Sequence, residues 1–161
     1  MDVRPRRKSV AKAELLSEIL RSVRKLRQKR APEVAAAMGL RPRTYEHFEA
    51  GQGRLNIDRI HAFAELVGAD PYAIVTALAI SSPQFAVRTA NNKLITMFLI
   101  ALQGFDEQVG DAIANLDAYA LTDAFTEMFD KLATTATAPD SMIQRWRGDE
   151  VVADPEDEGQ G

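Results

Sequence analysis

The sequence has 161 residues, of which 46% are hydrophobic and 27% charged, which predicts a globular chain of one ordinary domain or two small ones. It contains no cysteine, which excludes disulfides, thiolate catalysis and cysteine-bound zinc. Its longest strongly apolar stretch, 94–102, is interrupted by Thr96 and is too short to cross a bilayer. No apolar signal segment follows the basic N-terminus, so we expect a cytoplasmic protein without membrane contact.

The net charge of −3 hides a strong asymmetry between the two parts of the chain. Residues 1–54 carry 14 Lys and Arg against six Asp and Glu, whereas residues 55–161 carry six against 17. Such asymmetry indicates that the basic part meets a polyanion. A solvated basic arm, predicted as flexible over residues 1–12, explains only part of it, because residues 9–54 still hold ten basic and five acidic side chains.

Five helices are predicted in the first part of the chain, because apolar residues recur at spacings of three and four and β-branched alternation is absent. Their approximate ranges are 11–28, 32–38, 42–50, 57–67 and 71–80. Pro32 suits the first turn of the second helix, and Gly39 suits its C-terminal cap. Asn56 and Asp70 suit the N-caps of the fourth and fifth helices, and Gly68 ends the fourth.

The apolar faces of these helices predict the core. Tyr45 and Phe48 are three residues apart, so they share a face of the third helix and point inward. Thr44 and its charged neighbours then lie on the opposite face. On the first and fourth helices, the predicted inward side chains are Leu16, Leu20, Val23, Ile57, Ile60, Ala64 and Val67, with Phe63 flanking them.

The second part of the chain is predicted to form a separate helical region, 83–136, after a hinge at 81–83. Its helices are expected at about 83–102, 106–115 and 121–134, followed by a disordered acidic tail over 138–161. The simplest use of its many apolar side chains is to pack together and on a second copy of the chain. The alternatives are a docking face for RNA polymerase or another regulator, and a ligand pocket lined by Asn91, Asn92 and Lys93.

The second and third helices are separated only by Gly39 and Leu40, which suggests a helix-turn-helix. In that motif one helix braces against phosphates while the next enters the major groove, where the base edges differ. A glycine in the turn tolerates backbone geometry that a side chain would resist.

Residues 20–75 resemble the XRE family, the Cro/C1-type helix-turn-helix regulators of bacteria and their phages. The similarity covers about a third of the chain. The segments that carry it are Leu20–Arg24, Val34–Ala35, Met38–Leu40, Phe48–Gly51 and Ile60–Gly68.

The resemblance implies an all-α fold, with a five-helix Cro/C1-type (lambda-repressor-like) DNA-binding domain over 13–80. It implies that the third helix is the recognition helix and that Arg24 and Glu49 form an interhelical ion pair. The loop after that helix would meet the sugar-phosphate backbone, with Gly51 and Gly53 permitting close approach. The residues assigned to DNA by position are Arg41, Arg43, Thr44 and His47 on the helix and Gln52 and Arg54 in the loop.

The sequence departs from the family at the start of the second helix. Ala31 stands where the family usually has a phosphate-binding glutamine, and Lys29 stands at a usually apolar position. We assign Lys29 and Arg30 as replacement phosphate contacts. Glu46 faces outward and would repel phosphate or accept from cytosine N4. For His47 and Arg54, a plain solvated side chain is the competing interpretation.

These features predict a homodimeric, sequence-specific regulator on a pseudo-palindromic double-stranded DNA operator, with no cofactor and no metal. Repression is the commoner outcome in the family, and activation is the other. One alternative is an antitoxin-like or polymerase-docking adaptor that uses the same DNA module; another is a non-specific nucleoid or RNA binder. An enzyme is not expected, because the sequence has only two histidines, no thiol and no glycine-rich phosphate loop. Asp58, His61 and Glu65 could bind a metal, but they resemble a solvated helix face more than a metal site.

Overall fold

The computed structural model describes residues 4–138, and it describes side chains from residue 11 onward. This part of the chain contains α-helices and one 3₁₀ helix but no strand, so the all-α prediction is confirmed. The helices are α1 (Arg4–Leu26), α2 (Ala31–Ala37), α3 (Pro42–Glu49), α4 (Ile57–Val67), α5 (Pro71–Ala79), α6 (Pro83–Arg88), α7 (Leu94–Val109), the 3₁₀ helix (Gly110–Asn115) and α8 (Ala118–Thr137). All but the first residue of the predicted acidic tail, 138–161, lies outside the described residues.

The start of α1 differs from the prediction. The helix begins at Arg4 rather than near residue 11, so the backbone of 4–12 is helical where a flexible arm was expected. No proline or glycine interrupts the chain between Arg6 and Leu26, and the helical pattern therefore extends upstream without a break. Residues 1–3 of the predicted arm lie outside the described part.

The predicted caps of α4 are present. Asn56 Oδ1 accepts from the Arg59 backbone N–H at 2.9 Å, which satisfies one of the free donors of the first turn. Gly68 follows the last turn with φ of 64°, the left-handed conformation that ends a helix with least strain when no Cβ is present. Local chemistry thus sets both ends of α4.

The core of the first helices matches the predicted apolar faces with one exception. Tyr45, Phe63 and Ile60 are fully buried. Ile57 is 43% exposed, because it lies in the first turn of α4 and burial of that face begins one turn later. The other buried apolar side chains of α1 to α4 are Leu16, Ile19, Leu20, Val23, Val34, Ala35, Phe48, Ala64 and Val67.

The single helix predicted over 83–102 is wrong, because the chain breaks between α6 and α7. Lys93 has φ of 52°, which is incompatible with a continuous right-handed helix. Asn92 Oδ1 accepts from the Leu94 backbone N–H at 3.0 Å, so a local side-chain bond replaces a helical one. Asn91, Asn92 and Lys93 are exposed in this turn, rather than facing a pocket between helices.

The predicted boundary at 81–83 also differs from the structure. Helix α6 packs on α1 and α5, with Ala86 only 1% exposed, so it belongs with the preceding helices. The described chain instead divides into two compact units between Gln108 and Val109. The break in composition at 81–83 therefore marks a turn within the first unit.

Asp70 joins α5 to the start of α7 inside the first unit. Its Oδ1 caps α5 by accepting from the backbone N–H groups of Tyr72 at 3.0 Å and Ala73 at 3.4 Å. The same carboxylate accepts from the Thr96 hydroxyl at 2.8 Å and from the Thr96 N–H at 3.1 Å. Because Asp70 is 1% exposed, these bonds are what make its burial tolerable.

The second unit holds the 3₁₀ helix and α8. Gly110 has φ of 55°, which ends α7 and replaces the helix predicted over 106–115. Asp117 caps α8 by accepting from the Ala120 N–H at 2.8 Å. No side chain of α8 is buried. Among residues 4–138, no helix has the length and apolar content needed to cross a membrane.

Candidate nucleic-acid interface

The orientation of α3 is set by its two aromatic side chains. Tyr45 is 1% and Phe48 7% exposed, as predicted. The Phe48 ring meets the Phe63 ring edge-on, with centroids 5.9 Å apart, and lies 6.0 Å from the Tyr45 ring. Such edge-to-face packing favours one rotation of the helix about its axis. The opposite face of α3 is therefore turned outward.

That outward face collects the four predicted base-contact residues. Arg41, Arg43 and His47 are exposed and Thr44 is half-buried. All four line one shallow depression on the surface. We call these four residues the recognition surface. It offers guanidinium donors, a hydroxyl and an imidazole, which are groups that can hydrogen-bond to base edges or phosphate oxygens.

A partly buried ion pair holds α3 against α1. Glu49 accepts from Arg24 Nε at 2.5 Å and from Arg24 Nη2 at 3.1 Å, so the pair is bidentate. The Tyr45 hydroxyl donates to Glu49 Oε1 at 3.0 Å, which is a bond the sequence reasoning did not include. Arg24 Nη1 also donates to the Lys29 carbonyl at 3.0 Å and so reaches the turn before α2. We call Arg24, Tyr45 and Glu49 the clamp.

The clamp shifts the pKa values of two of its members. The hydrogen bond to Glu49 raises the pKa of Arg24 and outweighs the opposing effect of burial. Burial, followed by the nearby Glu49 charge, raises the pKa of Tyr45 well above its usual value. The Tyr45 hydroxyl of the folded protein therefore remains a donor at pH values where an ordinary tyrosine begins to ionise.

Replacing Tyr45 with phenylalanine is expected to change the alkaline side of the stability profile. Above the ordinary tyrosine pKa of about 10, the unfolded wild-type chain loses the Tyr45 proton while the folded chain retains it. The raised pKa thus gives stability that is complete below pH ~10 and is lost as pH rises, by at most about 1.4 kcal/mol per pH unit. Urea unfolding from pH 8 to 11 should show the wild-type advantage over Y45F shrinking, and parallel curves would contradict this.

The predicted phosphate contacts before α2 are arranged differently from the recognition surface. Arg30 is held by Glu33, which accepts from its Nε at 2.9 Å, its Nη2 at 2.8 Å and its backbone N–H at 3.0 Å. These bonds lower the pKa of Glu33. Arg30 therefore stabilises the start of α2, and a phosphate would have to compete with Glu33 for it. Lys29 is exposed, and neither residue lines the depression on α3.

The loop after α3 carries the other two predicted contacts. Gln52 and Arg54 are exposed and line a groove together with Lys12 of α1. The structure thus groups these two apart from the recognition surface. It adds Lys12, a cation that the sequence reasoning did not select, although its place in the basic segment was a signal.

The close approach at Gly51 is to α1 and not to an outside ligand. Gly51 has φ of 67°, and a Cβ built on it would lie only 2.2 Å from the Ala13 carbonyl oxygen. That position cannot be occupied without moving the backbone of one helix. Gly53, with φ of 87°, has nothing within 4 Å of its own added Cβ. Of the two loop glycines, only Gly53 therefore has open space beside it.

The metal alternative finds no support in the described residues. Between residues 4 and 138, no three His, Asp or Glu side chains are grouped so that they could hold an ion. His61 instead packs edge-on against Tyr72, with ring centroids 4.9 Å apart. Its neighbours Asp58 and Glu65 are exposed on the helix surface.

Comparisons of the chain with protein-family models, curated proteins and solved structures find no match. The function of the chain must therefore be inferred from its own residues. Its basis is the outward set on α3, the inward aromatic pair and the clamp that joins α3 to α1.

Proposed function

We propose that the protein is a sequence-specific double-stranded DNA-binding transcription regulator of the Cro/C1 helix-turn-helix type, with α3 entering the major groove. The observation that supports this most strongly is the single depression lined by Arg41, Arg43, Thr44 and His47. These side chains are turned outward because the two aromatic residues of the same helix are buried. A short helix with this division is suited to insertion into the major groove of DNA.

The chemistry of the recognition surface favours base contacts. An arginine can donate two hydrogen bonds to guanine O6 and N7, the commonest specific contact in the major groove. Arg43, in the first turn of α3, is the residue we assign to that role. The Thr44 hydroxyl and the His47 imidazole supply smaller, adaptable hydrogen-bonding groups beside it.

The groove with Lys12, Gln52 and Arg54 suits the sugar-phosphate backbone. Its cations would release counterions from DNA without distinguishing bases. A single helix contacts few base pairs, so we propose that a homodimer binds two half-sites about 34 Å apart in a pseudo-palindromic operator. We favour repression of transcription, in which the bound protein obstructs RNA polymerase. Activation of transcription is the alternative.

A second candidate, an adaptor that binds DNA and a protein partner, is favoured by one observation. Helix α7 exposes Met97, Ile100 and Phe105, each at least 38% accessible. An exposed apolar face of this kind is typical of a protein-binding surface. An antitoxin or a polymerase-docking factor would use it for a partner, and co-purification of a stoichiometric partner would favour this candidate.

Replacing Arg43 with alanine is expected to weaken the best DNA site by about 1–3 kcal/mol and to relax preference at one base pair. Arg54→Ala should instead weaken all sequences alike and reduce the salt dependence of binding by about one ion. The measurement is fluorescence anisotropy on a duplex selected from a random pool, together with single-base variants, at several salt concentrations.

Arg88→Ala is the matched control, because it removes the same charge from an exposed position on α6 outside both depressions. It should leave affinity and base preference unchanged. A specific regulator should favour its selected site over random duplex by about 10³-fold or more. Equal affinity for all sequences, or R43A binding like the wild type, would contradict the proposed function.

A further inference from the structure

Helix α8 presents an apolar stripe that nothing in its own unit buries. Its five members are spaced by four, three, one and three residues, so they follow one face of the helix. Four of them are between 36% and 57% exposed. We call the stripe, Leu121, Phe125, Met128, Phe129 and Leu132, the seam.

The charged residues of α8 avoid the seam. Asp123, Glu127, Asp130 and Lys131 lie about half a turn away from Phe125, at 100° per residue. All four, together with Thr126 and Thr134, line one polar depression on that other face. The helix is therefore divided lengthwise into an uncharged apolar side and a charged side.

We infer that the seam is the contact by which two copies of this chain pair, α8 against α8. A two-fold interface needs the same patch on both partners, and this seam is complementary to itself because it carries no charge. Its acids lie on the far side, so pairing brings no like charges together. A charged partner would find no opposite charge in the seam with which to pair.

The size of the seam is sufficient for such a pair. Phe125 and Phe129 are about half exposed, which leaves on the order of 100 Å² each for aromatic side chains of ~150–250 Å², and the two leucines add a smaller area. Two seams with their flanking residues would bury about 1,000 Å², the lower size of a specific interface. The 20 residues of α8 span about 30 Å, which is enough for several turns of interdigitated side chains.

Sedimentation equilibrium of the full chain tests this inference. The wild type should have twice the chain mass of 17.8 kDa. Phe125→Glu places a charge in the middle of the seam and should weaken self-association by about 30-fold or more. Thr134→Glu adds the same charge to the opposite face and should leave the dimer intact. A monomeric wild type, or F125E that remains a dimer with unchanged affinity, would overturn the inference.

A second measurement covers the case in which F125E loses helical structure. Because the sequence has no cysteine, a single introduced cysteine can only link to the same residue of another copy. Under mild oxidation, Phe125→Cys should form an intermolecular disulfide much faster than Glu127→Cys, which faces away. Equal rates for the two variants would refute the seam.

Self-association through the seam is measured without DNA and does not depend on the proposed function. Only the role of the dimer in binding an operator rests on that function. If the seam is right and the function is right, F125E should bind a full operator more weakly than T134E but bind a half-site equally. A dimer that shows no preference among DNA sequences would contradict the function alone. If F125E self-associated as tightly as the wild type and still bound the operator, the seam alone would be contradicted.

Discussion

Gly51→Ala is expected to destabilise the first unit by about 2–5 kcal/mol. An alanine in the left-handed conformation costs about 1–2 kcal/mol, and forcing a methyl group into packed backbone adds about 1–3 kcal/mol. Both costs apply here, because φ is 67° and the added Cβ would lie 2.2 Å from the Ala13 carbonyl oxygen. Urea unfolding followed by circular dichroism would measure the loss in free energy of unfolding.

Gly39→Ala separates the two contributions. Gly39 has nearly the same φ, 64°, but nothing within 4 Å of an added Cβ. G39A should therefore lose only the conformational part, about 1–2 kcal/mol. Equal stability of G51A and G39A would contradict the close packing of the 51–53 loop on α1. Because that packing holds the end of α3, G51A should also weaken DNA binding at temperatures where it remains folded.

Glu49→Ala is expected to cost about 3 kcal/mol, the lower end for breaking a buried pair, because it leaves the partly buried Arg24 charge with only the Lys29 carbonyl as an acceptor. The Arg24 side chain is only 13% exposed and gives two hydrogen bonds to Glu49. The Tyr45 hydroxyl would lose its acceptor as well. Denaturant unfolding gives the loss of stability, and the same preparations can be tested for operator affinity, which should fall as the angle of α3 loosens.

Glu46→Ala is the control, since it removes the same group from the exposed side of α3. It should change stability by no more than about 0.5 kcal/mol. The double variant Arg24→Met with Glu49→Leu should be less destabilised than E49A, because replacing both charges removes the unpaired cation, even though the Tyr45 hydroxyl still lacks its acceptor. If E49A were as stable as E46A, the clamp would not hold α3.

Helix ends were predictable where their causes are local. Asn56 and Gly68 cap α4 through bonds and backbone angles that involve only neighbouring residues. The burial of Tyr45 and Phe48 followed from their spacing along one helix. The exposure of the recognition surface is the other side of the same helical geometry.

The errors arose where local signals were weak or were misinterpreted. The break after α6 depends on a bond from Leu94 to Asn92 and on the unusual φ of Lys93, neither of which periodicity detects. The engagement of Arg30 by Glu33 could have been predicted, because a glutamate three residues after a helix N-cap often reaches back to it. The usual N-cap of that motif is Ser or Thr, and the arginine at this position makes the pattern harder to recognise.

From the sequence alone came the helical class, the core face of α3 and most of the caps, because these depend on residues within a turn or two of each other. Only the tertiary structure decided that Gly51 abuts α1, that Tyr45 joins the Arg24–Glu49 pair and that Asp70 reaches Thr96. Gly51 lies 38 positions from Ala13, and Asp70 lies 26 positions from Thr96. The Tyr45–Glu49 bond spans only one turn of α3, but Glu49 is held there by Arg24 of α1, 25 positions away. The crossing angles and distances of packed helices determine these contacts, and no local pattern encodes those quantities.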